Sequence, residues 1–183
     1  MRIISGSARG RKLKQPVGFN IRPTGDKVKE SVFTIIQFDI EGRHVLDLFA
    51  GTGQFGIEAL SRGADSAVFV DFATESVKLI RENLKLCGFS DLSAVYTADA
   101  LRFLERAEKF DIIFIDPPYD TPLMEKALEK IVQFDKLNIN GIIMCESKVG
   151  ISSTQVKPPY ILLKEYRYGS VIISKLTRED DIC

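Results

Sequence analysis

Four consecutive residues, Asp116-Pro117-Pro118-Tyr119, form the most specific chemical signal in the chain. Two adjacent prolines fix φ and remove two backbone donors. The turn they stiffen exposes the Asp116 carboxylate and the Pro117 carbonyl together. Two acceptors side by side match the two hydrogens of an NH₂ group. Tyr119 adds an aromatic face on which a nucleic-acid base can stack, a contact worth about 1–3 kcal/mol. The amino nitrogen of guanine or adenine is conjugated with its ring and is a poor nucleophile. Paired acceptors turn its lone pair toward an electrophile and stabilise the charge that develops on it. A plain strand-end turn would account for Pro-Pro-Tyr by itself, but not for the carboxylate before it. This chemistry needs neither a metal nor a strong general base. His44, the single histidine, opens an apolar run and is read as structural.

The second signal is a glycine loop, Asp47-Leu48-Phe49-Ala50-Gly51-Thr52-Gly53-Gln54-Phe55-Gly56. Gly51 allows a tight turn, Gly53 lets a ligand lie against the backbone, and Gly56 permits close helix–strand contact. The spacing fits a dinucleotide as well as S-adenosylmethionine. Asp47 separates the two. A carboxylate there would repel a pyrophosphate, whereas it attracts the ammonium and sulfonium of adenosylmethionine. Asp71, ending the next apolar run, is placed to accept hydrogen bonds from ribose hydroxyls or, alternatively, to cap a helix. Asp99, in Ala98-Asp99-Ala100, faces the same choice between the adenine edge and a helix cap.

These residues need a scaffold. From Arg43 onward, apolar runs of strand length alternate with amphipathic stretches of helix length. The runs are His44–Phe49, Ala67–Asp71, Ser93–Thr97, Asp111–Ile115 and Ile142–Glu146. They are short, continuous and rich in Val, Ile and Phe, as in strands buried on both faces. Phe55 to Arg62 stops at Gly63, and Thr74 to Cys87 stops at Gly88. Thr121-Pro122 starts a third helix, with Thr as cap, that buries Met124, Leu128 and Ile131. Tyr160–Tyr166 and Ser170–Leu176 form a hairpin, and Val149–Pro159 a loop. The predicted fold is α/β: a mostly parallel, Rossmann-like sheet with an antiparallel C-terminal hairpin. Residues 1–40 are expected to form a separate basic appendage. In it, Arg2–Ser5 and Arg11–Leu13 make a ribbon, and a helix opens at Thr24 or Gly25 and runs through Phe38. The domain boundary falls at 40/41.

The 183 residues suit one domain plus that appendage. No apolar stretch approaches the roughly 20 residues needed to span a bilayer. Cys87, Cys145 and Cys183 form neither a metal-ligand spacing nor a disulfide framework, so a reducing cytoplasm is the default. The net charge of zero hides an asymmetry. Residues 1–30 hold eight Lys or Arg against two acids, a net +6 that leaves −6 on the rest. A basic arm on an acidic body is either a phosphate-binding surface or a solvated terminus.

Taken together, D-L-F-A-G-T-G and, about 65 residues later, D-P-P-Y resemble the class I amino-methyltransferases. More narrowly, nearly the full length is similar to the bacterial 16S rRNA guanine-N2 methyltransferases of the RsmD type. The narrowing features are Arg2-Ile3-Ile4-Ser5-Gly6, Arg9-Gly10-Arg11-Lys12-Leu13 and Arg22-Pro23-Thr24, followed by Asp26, Lys27, Glu30 and Phe33. Glu146-Ser147 and Tyr168-Gly169 complete them. The resemblance implies a seven-stranded methyltransferase sheet. It implies cofactor contacts from Asp47, Gly51, Gly53, Asp71 and Asp99, to which Phe49, Ala100 and Thr24 are added, and catalysis by Asp116, Pro117, Pro118 and Tyr119. It places Arg22 and Thr24 near the mouth of the site. The expected substrate is 16S rRNA or the small ribosomal subunit, met by Arg9, Arg11, Lys12 and Arg22, with a monomer as the default. The chain departs from its relatives at Gly25-Asp26, where they commonly have Thr-Asp.

Three other readings are weaker. A DNA adenine-N6 methyltransferase shares the turn, but forty residues are too few to read a sequence in the major groove. RNA recognition by shape and by an exposed base needs less protein. A non-catalytic binding module should have a damaged turn, and this turn is intact. A nicotinamide-dependent reductase is disfavoured by Asp47.

Overall fold

The computed structural model describes residues 1–16, 23–149 and 156–182, with the side chains of Pro23, Thr24, Asp26 and Ile182 excepted. Seven strands form one sheet: β1 (His44–Leu48), β2 (Ser66–Asp71), β3 (Ser93–Thr97), β4 (Phe110–Ile115), β5 (Leu137–Lys148), β6 (Tyr160–Tyr168) and β7 (Val171–Arg178). Their order is β3-β2-β1-β4-β5-β7-β6. The first five are parallel, and β7 runs antiparallel to both β5 and β6. This is the expected mostly parallel, Rossmann-like sheet. The order reverses between β1 and β4, so a crevice opens at their C-terminal ends. The glycine loop leaves β1 there, and Asp116-Pro117-Pro118-Tyr119 leaves β4.

Two cores sandwich the sheet. On one face Val45, Phe69, Phe114 and Met144 pack with α1 (Pro23–Ile35) and α2 (Gln54–Ser61). On the other, Leu46, Val70, Ile113 and Ile143 pack with α4 (Ala100–Arg106) and α5 (Leu123–Gln133). Alternate residues of each buried strand thus feed opposite cores, which is why the central runs are continuously apolar. The remaining helix, α3 (Thr74–Cys87), closes at Gly88 in the left-handed conformation, as its sequence predicts.

Four sequence expectations are corrected. Ser93–Thr97 is not buried on both faces. As the outermost strand it keeps its last residues exposed. Thr121 does not cap α5, because its hydroxyl donates instead to the Pro118 carbonyl at 2.8 Å and Pro122 holds the cap position. α1 ends at Ile35, leaving Phe38 92% exposed beyond it. β5 starts five residues earlier than its apolar run, at Leu137. Its first residues pair only with Phe110 across a bulge, and the polar Asn138 and Asn140 conceal that start.

The predicted ribbon exists, as one antiparallel bridge between Arg2 and Lys12. The Ile3 amide donates to the Arg11 carbonyl at 2.9 Å and the Leu13 amide to the Met1 carbonyl at 3.2 Å. The described apolar residues of this segment pack into the core of the sheet. Ile3, Ala8, Leu13, Val28, Val32, Phe33 and Ile36 are buried in the same cluster as Phe55 and Phe114. The ribbon is also held by polar contacts with α2. Glu58 accepts from the amides of Ile4 and Ser5 at 2.8 and 3.0 Å. Gly6 (φ 81°) passes so close to α2 that a Cβ would lie 1.7 Å from the Ser61 carbonyl oxygen. Among the described residues no helix is long and apolar enough to cross a membrane.

Candidate active site

The loop after β1 turns through three positive φ values, 66° at Phe49, 54° at Gly51 and 77° at Gly53. Two carboxylates hold it in shape. Asp47 accepts from the Gly56 amide at 2.9 Å. Asp71 accepts from the Gly51 amide at 2.8 Å with one oxygen and from Ala73 at 2.9 Å with the other. Gly56 is the close approach its position in the motif predicts, since a Cβ there would meet the Phe69 ring at 2.3 Å.

Beside this loop is a cavity of about 760 Å³, within the roughly 300–1,000 Å³ range of small-molecule sites. Its walls bring together Phe49, Gly51, Asp71, Asp99, Ala100 and the whole Asp116–Tyr119 turn. Asp47 and Gly53 stand behind the wall, shaping the loop that forms it. Asp99 caps α4 by accepting from the Arg102 amide at 2.9 Å, and it lines the cavity as well. Asp71 likewise combines a cap-like bond with a place in the wall. Arg22 and the Thr24 side chain lie outside the described residues, although Gly25 reaches the wall. Arg9, Arg11 and Lys12 are exposed on the ribbon and do not line the cavity. The Arg11 guanidinium donates to the Leu86 carbonyl at the end of α3.

Sequence reasoning passed over several wall residues. Met1, Gln15 and Pro16 come from the N-terminal segment and Phe72 from the end of β2. Gln54 contributes a carboxamide whose buried Oε1 has no hydrogen-bond partner among the described residues. Most telling is Glu146, near the end of β5, which accepts from the Tyr119 hydroxyl at 2.6 Å. Strand register was the available signal: Ile115 of β4 pairs with Cys145 of β5, so the next residues, Asp116 and Glu146, emerge side by side.

The site is electrostatically unbalanced. Burial, then repulsion from Glu146 and Asp47, hold the Asp116 carboxyl well above the usual carboxylate range. Burial also raises Glu146, against the pull of the Tyr119 hydroxyl. Asp47 is pushed up to about 7 by burial and by the Asp71 charge, in spite of its bond from the Gly56 amide. Three carboxyls raised together form a site that binds protons or another cation readily.

A stability prediction follows from Asp47. Its folded pKa lies above its unfolded value, so the folded state binds the extra proton. Stability from this source is complete below about pH 4 and is lost as pH rises through about 7. Asp47→Asn, which keeps an acceptor for Gly56, is expected to flatten this decline and gain on the order of 2–4 kcal/mol at pH 8. Thermal unfolding of both proteins between pH 5 and 8 measures it, and parallel pH profiles would refute it.

The chain matches the family model described as Conserved hypothetical protein 95 over residues 1–176. It is 39% identical over 173 residues to YlbH of Bacillus subtilis, covering 92% of this chain and 94% of that one. It is 36% identical over 176 residues to the Haemophilus influenzae protein named Ribosomal RNA small subunit methyltransferase D, covering 93% and 90%. The structure of Escherichia coli yhhF superposes with a TM-score of 0.88 at 32% identity, covering 97% of each chain. The chain belongs to this family, that of the bacterial ribosomal RNA small subunit methyltransferases D.

Proposed function

We propose that the protein transfers a methyl group from S-adenosylmethionine to the exocyclic N2 of a guanine in 16S rRNA of the small ribosomal subunit. The observation that carries this reading is one cavity whose wall contains both the glycine loop and the Asp116–Tyr119 turn. The residues present fit the cofactor. Asp71 and Asp99 offer carboxylates toward a nucleoside, Gln54 offers a buried acceptor with no partner among the described residues, and three raised carboxyls favour a cationic ligand. When bound, S-adenosylmethionine supplies a methyl group on a sulfonium, which becomes a neutral thioether as the N–CH₃ bond forms and the S–CH₃ bond breaks.

The chain's own residues do the rest. Tyr119, tethered to Glu146, presents its ring to the target base. Asp116 and the Pro117 carbonyl accept the two amino hydrogens, hold the nitrogen in line with the methyl carbon and stabilise its growing positive charge. The methylated nitrogen then releases its proton to solvent. The exposed Arg9 and Lys12, with Arg11 beside them, meet phosphates of the RNA.

The test is transfer of labelled methyl from S-adenosylmethionine to small subunits lacking the modification, followed by nucleoside analysis. N2-methylguanosine is expected. Methyl-adenine, or label in DNA alone, would refute the substrate and keep the chemistry. No transfer to any nucleic acid would refute the enzyme. For the ribbon, changing Arg9, Arg11 and Lys12 together to Gln is expected to weaken RNA binding and lower the slope of log affinity against log salt by roughly two. An unchanged slope would remove the ribbon from the interface.

A further inference from the structure

Methyl transfer to an amino group does not by itself choose between bases, because guanine and adenine both present NH₂ to Asp116 and Pro117. The two differ at the ring atom beside it. Guanine N1 carries a hydrogen, whereas adenine N1 carries a lone pair. A carboxylate facing N1 therefore attracts guanine and repels adenine. We propose that Glu146 is that carboxylate, accepting the N1–H of the target base and making the site specific for guanine; the proposal rests on the function proposed above.

The geometry is set by the sheet. Ile115 and Cys145 are paired on parallel neighbours and face the α4–α5 side. Phe114 and Met144 face the α1–α2 side. Alternation along the strands sends Asp116 and Glu146 to that same side, and both line the cavity. The two carboxyls are close enough for the charge on Glu146 to act on Asp116. Tyr119 donates to Oε1 of Glu146 at 2.6 Å. Oε2 has no hydrogen-bond partner among the described residues. The ring that stacks on the base is thus fixed to the carboxylate that meets its edge, one residue position from the acceptor that meets its amino group. Those two acceptors together address N2 and N1, the adjacent donors of guanine.

The neutral isostere makes a sharp test. Glu146→Gln replaces an obligate acceptor with a carboxamide that can rotate its NH₂ toward a lone pair. Small subunits are prepared with guanine or adenine at the methylated position, once that position is mapped with the wild-type enzyme. Methyl transfer is then measured for wild type, Glu146→Gln and Glu146→Ala, with cofactor-induced thermal shift as the folding control. Wild type is expected to yield N2-methylguanosine and to discriminate strongly against adenine. Glu146→Gln is expected to narrow the guanine-to-adenine ratio by roughly tenfold to a hundredfold, the worth of one correct base contact. Part of that change should be a rise on adenine, which no merely structural defect would produce. Glu146→Ala should lose guanine activity without the gain on adenine. An unchanged ratio in Glu146→Gln, with both rates lowered equally, would overturn the proposal. A wild-type enzyme that makes no N2-methylguanosine would overturn the guanine reading itself, and the proposal with it. The wild-type product tells the two failures apart.

Discussion

Asp116→Ala is expected to lower turnover by roughly a hundredfold to a thousandfold while leaving S-adenosylmethionine binding in place. The magnitude is that of losing one oriented partner of a charge that develops only in the transition state. Binding should survive because the loop that shapes the cofactor end is held by Asp47 and Asp71 through the amides of Gly56 and Gly51, not by Asp116. Removing a raised carboxyl also relieves Glu146 and Asp47 of a neighbour, so the fold should not suffer. Single-turnover methyl transfer paired with calorimetric cofactor titration separates the two effects. A variant that binds the cofactor many times more weakly yet turns over normally when saturated would show that Asp116 holds cofactor, not the amino group.

The same residue sets a pH dependence. To stabilise the positive charge that develops on the amino nitrogen Asp116 must be ionised, and burial with the Glu146 and Asp47 charges holds its pKa well above the usual carboxylate range. Activity governed by this group is complete above the raised pKa and lost as pH falls through it. The acid limb of kcat/KM should therefore lie above the ordinary carboxylate range. Asp116→Asn, which cannot titrate, should lose most of its rate and keep only the part of the limb set by the raised Glu146 carboxyl.

What the sequence made legible, and what it hid, have physical reasons. Runs such as Ile112–Ile115 were readable because both faces of a central strand are buried, so every position is apolar. Ser93–Thr97 carries Ser and Thr at its two ends and lies at the sheet edge, where fewer of its positions need to be apolar. The Asp116–Tyr119 turn and the glycine loop are legible because each is a contiguous stretch, and both reach the wall of one cavity. Glu146 is not legible as a wall residue because its place beside Asp116 depends on pairing with a strand about thirty residues away, which becomes visible only with the register. Asp71 and Asp99 were balanced between ligand and cap. The structure shows why that choice could not be made from sequence, since each carboxylate caps backbone amides and faces the cavity together. The basic ribbon was legible as charge, but its attachment was not. That depends on Lys29 and Glu58, two ionisable residues that a sequence pattern assigns to solvent.

Lys29→Met is expected to be the most destabilising single change to the N-terminal segment. The Lys29 and Glu58 side chains are both 0% exposed, with Nζ and Oε2 3.4 Å apart. Lys29 also donates to the Arg2 carbonyl at 2.6 Å, and Glu58 accepts from Arg62 Nε at 2.9 Å as well as from the two ribbon amides. Charges so buried gain little net stability as a pair, but removing Lys29 takes from the buried Glu58 carboxylate one of its two cationic partners and leaves Arg62 as the other, at a cost near the low end of about 3–5 kcal/mol. For a chain of this length that corresponds to a Tm lower by roughly 10 °C. The ribbon should loosen first, because its amides converge on the Glu58 carboxylate that Lys29 no longer neutralises, so RNA affinity should fall even where the sheet remains folded. A second variant, Glu58→Gln, and the double variant close a cycle. The double variant should be more stable than the sum of the two single losses implies, by at least about 1 kcal/mol, because the two opposite charges of the pair are then removed together. Single losses that simply add, or a Lys29→Met protein with unchanged Tm, would show that Ile3, Ala8 and Leu13 hold the ribbon by burial and that the ion pair is incidental.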